Sequence, residues 1–98
     1  MAGNGARLVT TPNPPTNVRN DILVTSANQI GIIWDDGAYD GGQPITDYKI
    51  LYDQGDGVYT VLFENVIERR YTLFGVTTGI TYSFKVSAHN SEGYSAYS

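Results

Sequence analysis

The chain has 98 residues, which is enough for one domain and too few for two. Its net charge of −4 argues against a nucleic-acid partner, because such binding requires clustered lysine and arginine. The absence of cysteine excludes disulfides and thiolate metal sites, and no apolar run approaches the roughly 18 residues of a membrane span. We therefore expect a small domain without cofactor, nucleic-acid partner or membrane insertion.

The N-terminal stretch divides into an extension and the start of the domain. MAGNGAR has neither the basic start nor the apolar core of a signal peptide. ARLVTT, residues 6–11, favours a short strand, and PNPP, residues 12–15, favours a stiff connector because proline cannot continue a ladder. We treat residues 1–11 as a strand-like N-terminal extension and residues 12–98 as the domain.

The rest of the chain shows the period of two that is typical of strands. QIGIIW, from Gln29, places Ile30, Ile32 and Trp34 on one face, and ITYSFKVSAH alternates apolar and polar residues in the same way. DYKILY, VYTVLF and RRYTLF have strand chemistry; the turn DQGDG separates the first two, and the turn GVTTG follows the third. This spacing predicts an all-β sandwich of about seven strands, with a barrel as the alternative that spacing does not exclude.

Few residues suggest chemistry at a site. Asp35, Asp36 and Asp40 could be calcium ligands, but Asp and Gly also favour solvated turns, and the EF-hand spacing is absent. We favour the turn. His89 lies on the polar face of its predicted strand, so we expect a surface residue. The serines have no nucleophile-elbow sequence around them, and we predict no enzymatic activity and no catalytic or metal-binding residues.

Several segments together resemble a fibronectin type III domain: PPTNV, Trp34, DGGQPITDYKILY and YTLFGVTTGITYSFKVSAHNSEGYS. The resemblance covers residues 14–98 and implies an immunoglobulin-like Greek-key sandwich of two antiparallel sheets. Tyr82 is similar to the residue of a tyrosine corner, whose hydroxyl bonds the backbone of the preceding turn. The expected core residues are Trp34, Tyr48, Ile50, Leu73, Val76, Tyr82, Phe84 and Val86.

The resemblance implies a non-enzymatic structural, adhesion or protein-interaction module, one of several repeats in a longer protein. The loops at residues 35–44 and 90–94 are expected at the same end, with Tyr39 and Tyr94 as possible contacts. Such modules are common outside cells, although the Gly-Gly-x-Pro-Ile loop also resembles intracellular muscle-type repeats. An accessory domain of a carbohydrate-active enzyme is an alternative that rests on the family alone.

The family's seventh strand would follow SAYS, so strand six is expected to have an uncovered edge. The N-terminal extension supplies candidate donor residues: Arg7, Leu8, Val9, Thr10 and Thr11. This segment could fold back onto its own domain, insert into a neighbouring copy to give a swapped dimer or filament, or stay loose while another domain supplies the strand. Alternatively, SAYS itself forms a short last strand. The expected partners are neighbouring repeats or other copies of the chain.

Overall fold

The computed structural model describes residues 9–98, which form seven strands and no helix. The strands are β1 (Thr16–Asn20), β2 (Gln29–Asp35), β3 (Asp47–Asp53), β4 (Thr60–Val66), β5 (Arg70–Phe74), β6 (Ser83–Asn90) and β7 (Gly93–Tyr94). One antiparallel sheet has the order β1-β2-β5, and the other has the order β4-β3-β6-β7. The predicted two-sheet sandwich is confirmed, and the barrel alternative is wrong. None of the segments in this range is a helix that could cross a membrane.

The core lies where β2 faces β3 and β6. Trp34 of β2 is 1% exposed and packs edge-on against Tyr48 of β3, with 5.4 Å between the ring centroids. Such aromatic pairs add about 0.5–1.5 kcal/mol beyond the apolar area that they bury. The buried cluster consists of Ile32, Trp34, Tyr48, Ile50, Val66, Val86 and Ala88.

Half of the predicted core residues belong to this cluster. The four are Trp34, Tyr48, Ile50 and Val86, and Phe84 packs against them while partly exposed. Leu73, Val76 and Tyr82 are only partly buried and lie outside the cluster. Val76 and Tyr82 belong to the connection between β5 and β6, beyond the ends of the strands.

The connection between β5 and β6 contains the predicted tyrosine corner. The hydroxyl of Tyr82 accepts a hydrogen bond of 2.9 Å from the backbone N–H of Thr77, which confirms the role expected of this tyrosine. Thr77 is exposed, so this bond is in contact with water rather than buried. The Tyr82 ring also stacks on Tyr52, with 6.5 Å between centroids.

The outer edge of β6 is covered along its second half, so the expectation of a fully uncovered edge is wrong. After β7, the Ser95 N–H donates to the Ala88 carbonyl at 2.7 Å, and the Ser98 N–H donates to the Val86 carbonyl at 2.8 Å. In return, the Ser95 and Ser98 hydroxyls accept the N–H groups of Ala88 and Val86, both at 2.9 Å. SAYS therefore covers the second half of this edge as a serine clasp, in which two hydroxyls take the place of main-chain carbonyls.

Candidate protein-contact site at the loop end

The two predicted loops meet at one end of the sandwich, as expected. Asn90, at the end of β6, is 1% exposed. Its amide nitrogen donates to the carbonyl oxygens of Asp40 and Thr10, both at 2.9 Å, and its amide oxygen accepts the N–H of Glu92 at 2.8 Å. One buried amide thus joins three segments, and we call residues 10–13, 36–44 and 90–92 the loop end.

The segment that leads into β1 is held against the loop end by its main chain. The Thr10 N–H donates to the Gly41 carbonyl at 2.8 Å, and the Asn13 N–H donates to the Tyr39 carbonyl at 2.9 Å. Pro12 is buried between these two bonds. The incoming chain therefore has a fixed direction where it reaches the domain.

The predicted donor segment is divided by this arrangement. Arg7 and Leu8 lie outside the described residues. Val9 is half-buried, while Thr10 and Thr11 are exposed to solvent although the Thr10 backbone is bonded on both sides. The described part of the segment is bonded to the loop end of its own domain through the Thr10 backbone.

Glycines allow the close approach between the incoming segment and the loop. A methyl group at Gly41, where φ is +87°, would collide with the Thr10 carbonyl oxygen and lie 2.7 Å from the Asn90 amide nitrogen. A methyl group at Gly37 would lie 2.5 Å from the Pro14 carbonyl oxygen. The glycine content of this loop therefore serves backbone packing as well as turn formation.

The three aspartates after Trp34 act separately. Asp35 pairs with Arg19 and Asp36 pairs with Arg69, each at 3.3 Å, while Asp40 accepts a backbone N–H of its own loop at 2.9 Å. Within residues 9–98 no group of three His, Asp or Glu side chains is placed to hold a metal ion. The arrangement supports the solvated-turn interpretation of these residues.

Asp36 also receives a hydrogen bond from the hydroxyl of Tyr48. Burial of the phenol, together with the hydrogen bond to and the negative charge of Asp36, raises the pKa of Tyr48 to about 12, and Arg69 opposes this shift. The contact ties the start of the loop to β3 in the core and to the turn between β4 and β5.

The two aromatic residues predicted as loop contacts have different surroundings. Tyr39 lies at the loop end and is 45% exposed. Tyr94 lies in β7, where its ring stacks on His89 with 4.1 Å between centroids and Lys49 Nζ lies 4.2 Å from its centre. Tyr94 therefore packs on the outer face of its own sheet, and Tyr39 is the candidate that presents accessible area at the loop end.

His89 is not the plain surface residue that its position in the sequence suggested. Its side chain is 34% exposed, and its Nδ1 lies 2.9 Å from the Asp47 carboxylate, which is largely buried. The register of β3 and β6 brings these residues together although they are 42 positions apart in the chain. Sequence reasoning missed the pair because it depends on which residues of the two strands face each other.

Comparisons with known proteins agree with this architecture. A run of domains from titin is 27% identical with a TM-score of 0.79, over 89% of this chain and 29% of that one. Titin kinase with its flanking domains is 27% identical with a TM-score of 0.81, over 91% and 16%. An Fn3-like protein from Clostridium thermocellum is 26% identical with a TM-score of 0.69, over 90% and 86%.

The chain thus spans less than a third of the titin chains that it matches. The fibronectin type III domain family matches residues 13–98, which includes every strand. The chain belongs to the fibronectin type III domain family.

Proposed function

We propose that the chain is one repeat of a multi-repeat protein, a non-enzymatic module that sets the position of a neighbouring repeat and contacts protein partners. The observation that carries this proposal is the fixed incoming segment, with Thr10 and Asn13 bonded to the loop and Asn90 bonded to Thr10. The similarity to titin chains, of which this chain spans only a part, is consistent with a place among other domains.

A fixed incoming segment restricts how a preceding domain can be oriented. A linker without contacts behaves as a flexible coil and leaves the orientation of two domains free. Here the chain is held up to Thr10, and prolines follow at residues 12, 14 and 15. A preceding repeat would therefore lie close to the loop end, where Tyr39 offers a rigid aromatic contact with little conformational entropy to lose.

The test uses two copies of the chain joined head to tail. Small-angle X-ray scattering should give a narrow distribution of distances between the copies, and Asn90→Ala in the second copy should broaden it. Asn28→Ala is the matched control, because its side-chain oxygen accepts a single exposed bond from Ser26. A wild-type distribution as broad as that of a flexible linker would contradict the proposal. In the intact protein, we expect a second domain of this family directly beside this one.

A second candidate function is that of a subunit in a head-to-tail filament or a swapped oligomer. It is favoured by an open groove of about 410 Å³ beside the first half of β6, where the pairing on the outer edge ends at Val86 among the described residues. Sedimentation over a range of concentrations and electron microscopy test it. A chain that stays monomeric throughout and forms no fibres would exclude this function.

A further inference from the structure

The edge strands of the two sheets differ in regularity. β1 has a register shift against β2, with Asn17 at a φ of +55°, and β4 has two register shifts against β3. β7 is only two residues long. β5, in contrast, pairs with β2 from Arg70 to Phe74 without a shift. Bulges and very short strands keep an edge from pairing with another chain, so β5 is the edge strand that lacks both protections.

Two hydrogen bonds at the ends of β5 show which of its backbone groups face away from β2. The Trp34 N–H donates to the Arg69 carbonyl at 3.1 Å, and the Gly75 N–H donates to the Asn28 carbonyl at 3.0 Å. In an antiparallel pair, alternate residues direct both N–H and C=O to the same partner. Within residues 9–98 these outward groups have no hydrogen-bond partner. The three residues that direct both groups to the free edge are therefore Arg70, Thr72 and Phe74.

The side chains of β5 alternate between the two faces of the sheet. Tyr71 and Leu73 lie opposite isoleucines of β2 on the core side and are half-buried. The other three side chains lie on the outer face, where Phe74 is 71% exposed and the Arg70 side chain is 65% exposed. The outer face of this edge thus has a cation at one end and an aromatic ring at the other, with Thr72 midway between them.

We propose that β5 pairs with β5 of a second copy, antiparallel and about a two-fold axis at Thr72, so that the two small sheets become one continuous sheet. In this register Thr72 faces its counterpart, Arg70 faces Phe74 and Tyr71 faces Leu73. Each outward N–H then meets an outward C=O of the other copy, because the residues that face the free edge pair only with one another.

The side chains favour a second copy over a strand of unrelated sequence. Arg70 of each copy lies beside the Phe74 ring of the other, where cation and ring attract each other. Tyr71 meets Leu73 on the core side, and no like charges face each other between Arg70 and Phe74. The same patch serves both copies, so the contact is isologous and closes at a dimer.

The loop ends of the two copies point in opposite directions in this dimer. The contact therefore differs from the head-to-tail order proposed above and does not rest on it. Two five-residue strands make a small interface, and small interfaces are typical of weak complexes. The association is accordingly measured at high concentrations of the single chain.

A charge at the two-fold axis tests the pairing. Thr72→Asp and Thr72→Lys each place two like charges on backbone positions about 5.5 Å apart, so each variant alone should dissociate at least about tenfold more readily than wild type. An equimolar mixture should associate again, because Asp then faces Lys. Thr60→Asp is the matched control, since Thr60 is exposed on the edge strand of the other sheet and should leave association unchanged. Sedimentation up to about 1 mM chain measures each dissociation constant.

A wild-type chain that is monomeric throughout this range would overturn the proposal. Variants that each associate as tightly as wild type, or a mixture that does not associate, would overturn it as well. The fluorescence of the buried Trp34 shows whether each variant is folded. Failure of this dimer leaves the head-to-tail function standing, because that function is tested by distances within joined copies.

Oxidation gives a second measurement, because the chain has no cysteine of its own. Thr72→Cys should form disulfide-linked dimers about tenfold faster than Thr60→Cys, since pairing brings the two cysteines together at an effective concentration near the millimolar range. Equal rates for the two variants would contradict the axis at Thr72.

Discussion

Replacing Asn90 with alanine should destabilise the domain by breaking the contacts that join the three segments of the loop end. The side chain is 1% exposed and makes three hydrogen bonds, two to carbonyl oxygens and one to a backbone N–H. Alanine lacks the amide that makes all three bonds. The carbonyl groups of Thr10 and Asp40 and the N–H of Glu92 would then be unpaired and partly buried.

The size of the effect follows from these bonds. One intramolecular hydrogen bond contributes about 0.5–1.5 kcal/mol, and a buried group left unpaired costs about 1–3 kcal/mol. For three part-buried bonds we expect a loss of about 2–4 kcal/mol in the free energy of unfolding. Natural domains have about 5–15 kcal/mol in total, so this is a large fraction.

Urea unfolding is a suitable assay because Trp34 is the only tryptophan and is 1% exposed. Its fluorescence should shift when the core opens. With a slope of about 1–3 kcal/mol per molar urea, the midpoint of Asn90→Ala should fall by roughly 0.7–4 M. Asn28→Ala, which loses one exposed bond, should change the midpoint far less. Equal midpoints for the two variants would show that the amide of Asn90 does not hold the loop end together.

Three further predictions concern single contacts. Tyr82→Phe removes the acceptor of the Thr77 N–H and should lower stability by about 0.5–1 kcal/mol, measured by thermal unfolding, because the bond is exposed. The folded-state pKa of Tyr48, about 12, is above its ordinary value of 10.0, so the free energy of unfolding should fall as pH rises from 10 to 12. Urea unfolding at each pH should show a smaller fall for Tyr48→Phe. Gly41→Ala should destabilise more than Gly57→Ala, because both have positive φ but only Gly41 has close neighbours, and the difference in urea midpoints should reflect about 1–3 kcal/mol of overpacking.

Each of these has its own control or contrary result. Tyr71→Phe is the control for the corner, since the Tyr71 hydroxyl makes no hydrogen bond within the described residues, and equal melting temperatures for the two variants would remove the role of Tyr82. For Tyr48, the same dependence on alkaline pH in wild type and variant would mean that another group titrates. For Gly41, a loss of stability equal to that of Gly57→Ala would mean that the loop moves aside without cost.

Much of the fold could be predicted from sequence because its signals are local. Period two around Trp34 is visible in six consecutive residues, and the tyrosine corner links Thr77 to Tyr82, five positions apart. Strand type, the facing of Trp34 and the corner therefore follow from short segments. The burial of Leu73 and Val76 did not follow from the pattern, since it depends on how far the opposite sheet extends over them.

The site was harder to predict because it is built from distant positions. Asn90 bonds Thr10 across 80 positions, and nothing in the NSEG turn distinguishes this asparagine from one that merely favours turns. The pairing of Asp47 with His89 likewise depends on the register of β3 and β6. The role of SAYS was also hidden, because hydropathy gives no sign that a serine hydroxyl will accept a main-chain N–H.

The serine clasp has a consequence for which substitutions the domain can accept. An ordinary edge strand tolerates many side chains, because its bonds come from the backbone that all residues share. Here the N–H groups of Val86 and Ala88 depend on two particular hydroxyls. Threonine at residues 95 and 98 would keep a hydroxyl that accepts these N–H groups. Alanine would leave the two N–H groups unpaired at the edge of the sheet, while the buried core would stay intact. Substitutions at these two positions would therefore release the C-terminal segment from the edge of β6 without unfolding the rest of the domain.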